Sequence, residues 1–205
     1  MEPFSDCIFS IVATLLVIEL KLPDSASVWH SLALIAPKIL AFILSFIIVG
    51  MYWVAHHSMF NFVRKVDRNF LWLNNLNLLC VTFLPFPTAV LGSHPFETGA
   101  ICFYAITLIL ANGTLTIAFR YLARHPELAQ SNLTPELARR MERLVFLPII
   151  LYLAAIPFSY LEPIVSLAIF VITPAFYIIP NPWFKKAVGG GVSAQNDLHH
   201  SHHSK

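Results

Sequence analysis

Charge is what this sequence has least of. Asp, Glu, Lys and Arg make up 12% of its 205 residues, about half of the ~25% usual in a soluble domain. No Lys or Arg precedes Lys21, so the basic start of a secretory signal is missing. The "SAS" at 25–27 is therefore expected to be loop rather than a cleavage site. There is no Gly-rich phosphate loop and no dinucleotide fingerprint. Cysteine is limited to Cys7, Cys80 and Cys102. Each lies in an apolar run, which suits small apolar fillers better than disulfides or metal ligands. The net charge of +2 does not point to nucleic acid, and no nucleic-acid partner is expected.

What replaces charge is apolar surface. Hydrophobic residues are 57% of the chain, more than a soluble core of this size needs. The expectation is an all-α, polytopic membrane protein whose partner is the lipid bilayer. Apolar runs lie at about 4–21, 33–57, 69–91, 97–121, 143–161 and 163–180, against the roughly 17–25 residues a span needs. Pro148, Pro157, Pro163 and Pro174 predict kinks in the last two runs, or a boundary near Pro163. Residues 1–184 then form one six-span domain. Residues 185–205, ending "HHSHHSK", form a disordered, cytoplasmic, His-rich tail.

Orientation follows from the basic residues. With the N-terminus in the cytoplasm, Arg64, Lys65, Arg68, Arg120, Arg124, Arg139, Arg140, Arg143, Lys185, Lys186 and Lys205 all fall inside. Only Lys21 and Lys38 fall outside. The positive-inside rule thus favours two cytoplasmic termini and an even number of spans.

The first run, "MEPFSDCIFSIVATLLVIELKLP", carries two features. At 100° per residue Ile11, Leu15 and Ile18 fall within about 60° of one another, with Thr14 at the edge of the stripe. Ser5 and Asp6 point elsewhere. With this topology they share the cytoplasmic depth of His57 and Asn74, and the four are expected to satisfy one another as a buried polar network. Other chemistries lack support. Ser5, Asp6 and His57 lack the glycine pattern of a nucleophile elbow, so no catalytic residue is assigned. His56 and His57 diverge by about 100° on a helix and make no i,i+4 metal pair. No metal and no cofactor are expected.

These residues carry a family resemblance. "FSDCIFSIVATLLVIELKLP" resembles the first helix of the transmembrane protein 175 family of potassium channels, in its bacterial branch. The signature there is Arg-x-x-x-Phe-Ser-Asp, then an apolar helix ending in Glu-x-Lys-x-Pro. Phe4, Ser5, Asp6, Ile11, Thr14, Glu19, Lys21 and Pro23 match, and the Arg would fall one position before Met1. "HH" at 56–57, "RKVDRNFLWLN" at 64–74 and "LPFPTAVLG" at 84–92 are similar too. The resemblance implies a homotetrameric, potassium-permeable channel of the bacterial plasma membrane, with the first helix lining the pore and K+ as the permeant ion. No "TVGYG" filter is present. Instead, Ile11 would form a dry constriction continued by Leu15 and Ile18, Thr14 would tune selectivity, and Glu19 would draw cations to the outer mouth. Such a ring makes an ion shed water, which favours K+ over the more tightly hydrated Na+. Ser5, Asp6 and His57 would fix the helix to its own subunit. The competing class is a proton-coupled secondary transporter with Asp6 and His57 as relay.

Overall fold

The computed structural model describes residues 2–23 and 27–178; the expected tail at 185–205 lies outside the described residues. Eight helices are described: α1 (Glu2–Ile18), α2 (Val28–Leu34), α3 (Ala36–Phe60), α4 (Arg68–Thr82), α5 (Pro85–Ser93), α6 (Thr98–Arg124), α7 (Pro135–Leu161) and α8 (Pro163–Ile178). The only β pairing among the described residues is an isolated bridge between Val63 and Ala129. By length and composition, α3, the α4–α5 stretch Arg68–Ser93, α6 and α7 are long and apolar enough to cross a membrane, and α8 is a shorter apolar helix.

Helix occupies each of the six expected runs, with three differences of detail. The third run is two helices, because Pro85 lacks the N–H to continue α4 and instead starts α5. α7 begins at Pro135, inside what reads as a polar loop. The Thr134 side chain caps it by accepting from the Leu137 N–H at 3.2 Å, so the charged first turns "PELARRMER" are helix. The stretch before the second run holds the extra short helix α2. The boundary near Pro163 is found: α7 ends at Leu161 and Pro163 opens α8. Pro148 sits inside α7 and cannot bond the carbonyl four residues back. That carbonyl, of Leu144, accepts from the Tyr177 hydroxyl, which ties α8 to α7.

With α4–α5 taken as one stretch, α1, α3, α4–α5, α6, α7 and α8 alternate in direction, so the bundle has two distinct ends. At one end the start of α1 meets the end of α3 through Glu2 and His57. There too the Tyr121 hydroxyl near the end of α6 donates to Asp67, and Arg120 pairs with Glu142 of α7. At the other end the Thr98 hydroxyl of α6 donates to the Ser159 carbonyl of α7 at 2.9 Å. Gly92 of α5 lies against α3 there, where a Cβ would sit 2.9 Å from the Lys38 Cα. Arg64, Lys65, Arg68, Arg120, Arg124, Arg139, Arg140 and Arg143 all belong to the first end. Lys21 and Lys38 belong to the second.

α6 is the most enclosed helix, with Ile101, Ala105, Leu108 and Ala118 fully buried. Hydrogen bonds cross the apolar core: Ser45 with Tyr104 at 2.8 Å, Thr88 to Ser45 at 2.8 Å, and Asn77 to the Ala111 carbonyl at 2.8 Å. Away from water such groups need partners within the protein.

Candidate functional site

α1 has two faces. Ser5, Phe9, Val12 and Leu16 are buried, a 4-3-4 spacing that makes one helical stripe. That stripe packs on α3, α4 and α5 and belongs with Ile48, Tyr52, Leu78 and Val81 in the main core. The opposite side is apolar and free of the protomer's own core. Ile11 is 56% exposed, Leu15 41% and Ile18 61%, and Thr14 is exposed among them. The hydroxyl of Thr14 donates to the Ile11 carbonyl at 2.8 Å, and that of Ser10 to the Asp6 carbonyl at 2.8 Å. Both hydroxyls on this face are thus satisfied within the helix, so the face needs no polar partner from its own subunit. Just beyond α1, Glu19 is exposed and lines a small cleft with Lys38 and Thr88.

The polar start of α1 separates into two sets. One is buried: Ser5, His56 and Asn74 are each at most 1% exposed. The Asn74 amide donates to Ser5 Oγ at 3.3 Å, and Asn74 Oδ1 lies 2.7 Å from His56 Nε2. A carboxamide oxygen only accepts, so Nε2 carries the proton in this bond. The His56 ring stacks on Phe60 at 4.7 Å and meets Phe9 at 5.3 Å. The second set is half-exposed. Asp6 Oδ1 accepts from Trp53 Nε1 at 2.8 Å. His57 Nδ1 lies 2.9 Å from Glu2 Oε1, without hydrogen-bond angles. Trp53 and His57 stack at 5.5 Å.

Of the four residues expected to satisfy one another, the structure joins Ser5 and Asn74 directly. The imidazole that completes their network is His56 rather than His57, and Asp6 bonds Trp53 instead. The physical reason is antiparallel pairing. Advancing four residues along α1, from Glu2 to Asp6, retreats four along α3, from His57 to Trp53. This row lies at the edge of the contact, and His56 turns about 100° inward toward α4. Glu2 was not singled out from the sequence; pairing α1 against α3 in opposite directions would have found it.

Near this end the loops are latched together. Asp67 caps α4 by accepting from the Phe70 N–H at 2.8 Å. The Tyr121 hydroxyl, and after it that N–H, hold the Asp67 carboxyl below its ordinary pKa. Among the described residues no cluster of three or more His, Cys, Asp and Glu could hold a metal ion.

Residues 1–85 match the family described as the endosomal/lysosomal potassium channel TMEM175. Over 188 residues, 92% of this chain and 96% of the relative, the sequence is 32% identical to a potassium channel of Chryseobacterium sp. (strain P1-3). The chain belongs to the TMEM175 family. It is 41% identical over 96 residues to the human endosomal/lysosomal proton channel TMEM175, a match covering 42% of this chain and 19% of that protein. The fold is similar to the crystal structure of a lysosomal potassium-selective channel TMEM175 homolog from Chamaesiphon minutus. The TM-score is 0.75 and the identity 30%, over 86% of this chain and 93% of that one. As a TMEM175-family member the chain is an all-helical, multi-pass membrane protein, and the family is one of ion channels, not of enzymes.

Proposed function

We propose that this protein is a potassium-permeable channel of the bacterial plasma membrane. Four copies bring α1 to a common axis, the chain spans the membrane six times, and both termini are cytoplasmic. The observation that carries the reading is the outer face of α1. It is apolar, continuous through Ile11, Leu15 and Ile18, and unused by the protomer's own packing. Four copies of Ile11 would form a ring narrow and dry enough to gate by dewetting and to strip water from an entering ion. Thr14, one turn on, would offer hydroxyls beside that constriction. Glu19 would raise the cation concentration at the outer mouth. The gathering of eight basic residues at the end holding the start of α1 supports the orientation.

Asp6, Ser5 and Asn74 act in this account as anchors, because their bonds run to α3 and α4 of the same chain. The carrier reading made Asp6 and His57 the proton relay, and here Asp6 bonds Trp53 while His57 lies against Glu2. The human relative's name adds protons as a permeant ion to check. The test is a planar-bilayer recording of purified protein under K+/Na+ and then proton gradients. Passive currents reversing near the K+ equilibrium potential support the channel. Slow, saturable flux coupled to protons overturns it.

A further inference from the structure

A second feature lies away from α1. A groove of about 480 Å³ runs along the basic half of the bundle between α3, α6, α7 and α8, within the roughly 300–1,000 Å³ range of ligand sites. Its walls are almost wholly carbon: Phe46, Ile47 and Val54 from α3, Leu115 from α6, Leu144 and Pro148 from α7. The polar side chains that reach it are already engaged. Ser58 donates to the Val54 carbonyl at 2.7 Å, Asn112 to the Val145 carbonyl at 2.7 Å, and Tyr177 to the Leu144 carbonyl. Tyr52 donates to the Leu108 carbonyl and Trp53 to Asp6. A groove whose own hydrogen bonds are already made suits an alkyl chain and offers little to a polar ligand. Gly50 deepens it, since a Cβ there would meet nothing within 4 Å.

The charge at its end selects the headgroup. On α7, Arg140 precedes the lining residue Leu144 by four positions, so it continues that row toward the basic end of the bundle. Its partner Glu136 is 73% exposed and the pair is solvated, which leaves the guanidinium available at little cost. Arg139 and Arg143 flank it, and neither forms an ion pair among the described residues. We propose that this groove is a binding site for one anionic membrane phospholipid, its acyl chain between α3 and α7 and its phosphate-bearing headgroup at Arg140.

Trp53 lines the groove and reports on it. In a background with Trp29, Trp72 and Trp183 replaced by Phe, Trp53 emission is recorded in vesicles carrying brominated phosphatidylglycerol or brominated phosphatidylcholine at equal mole fraction. The parent is expected to be quenched preferentially by the anionic lipid. Arg140→Gln should weaken that preference by about fivefold, the effect of one basic residue at an anionic surface. Gly50→Leu, whose side chain would start from a Cβ that meets nothing within 4 Å, should fill the floor and abolish the preference while the protein still elutes as the parent does. Equal quenching by the two lipids in the parent overturns the proposal. So does a preference that survives both substitutions, which would assign it to the general basic surface. Quenching by neither lipid also overturns it, since the groove is then covered by protein.

Discussion

Asn74 is the residue whose loss the structure prices most directly. It is 1% exposed and joins α4 to both α1 and α3. Asn74→Ala removes the one hydrogen bond described for the His56 imidazole, whose Nδ1 has none. A single interhelical bond in a membrane protein averages only ~0.6 kcal/mol. An orphaned buried donor, however, costs about 1–3 kcal/mol, because desolvation of the stranded group is then uncompensated. For a chain of this length that is a fall in melting temperature of roughly 2–12 °C, at 2–4 °C per kcal/mol. The control is Asn75→Ala, an exposed neighbour, expected within about 0.5 kcal/mol of the parent. His56→Leu combined with Asn74→Leu should recover part of the loss, since removing both partners of the shorter bond leaves only the Ser5 hydroxyl without its described partner. The assay is thermal unfolding in detergent, with oligomer content followed by size exclusion. If Asn74→Ala melts with Asn75→Ala, or if the double variant is the sum of the singles, the buried network does not anchor α1.

Three further outcomes follow from the same geometry. Asp6→Ala should lower stability or assembly by about 1–2 kcal/mol, the range for a charge-assisted bond that is partly solvated, and leave K+ preference intact; a normal oligomer with strongly altered preference would move Asp6 into the pore. Asp67 has a depressed folded pKa from the Tyr121 hydroxyl and the Phe70 N–H. Its contribution is therefore complete above the ordinary carboxylate value of ~3.9 and lost as pH falls through the lower folded value. Tyr121→Phe should flatten that acid-side loss in melting curves, and an unchanged slope would count against the latch. In a background with Cys7, Cys80 and Cys102 replaced, cysteines at Ser27 and Ser93 should react with an impermeant reagent in intact cells; labelling of a cysteine at Ser131 instead would reverse the orientation.

Much of this architecture was legible from length and apolarity, because a bilayer leaves the backbone few options. The boundary at Pro163 and the shared depth of Ser5 and Asn74 followed from proline chemistry and from alternating helix direction. Other features turn on tertiary context. Hydropathy alone reads 69–91 as one run, and only the missing N–H of Pro85 splits it. The first turns of α7 read as a polar loop because charged residues crowd them and only the small Ala138 marks their buried side. His56 and His57 are indistinguishable by composition. The roughly 100° between them decides which is sealed between Phe9 and Phe60 and which meets Glu2 at the surface, and that angle depends on how α1 seats on α3.

The outer face of α1 is tested most directly by two substitutions on opposite sides of one helix. Ile11 is 56% exposed and Leu16 is 1% exposed in the core. Reversal potential and conductance are measured under K+/Na+ gradients for Ile11→Asn, Leu16→Asn and the parent in the same bilayer. Ile11→Asn is predicted to hydrate the constriction, raise conductance and weaken discrimination against Na+. Leu16→Asn is predicted to lower stability while channels that do assemble keep the parent's reversal potential. Should Ile11→Asn behave as the parent does, or Leu16→Asn be the variant that shifts the reversal potential, the outer face of α1 does not line the pore.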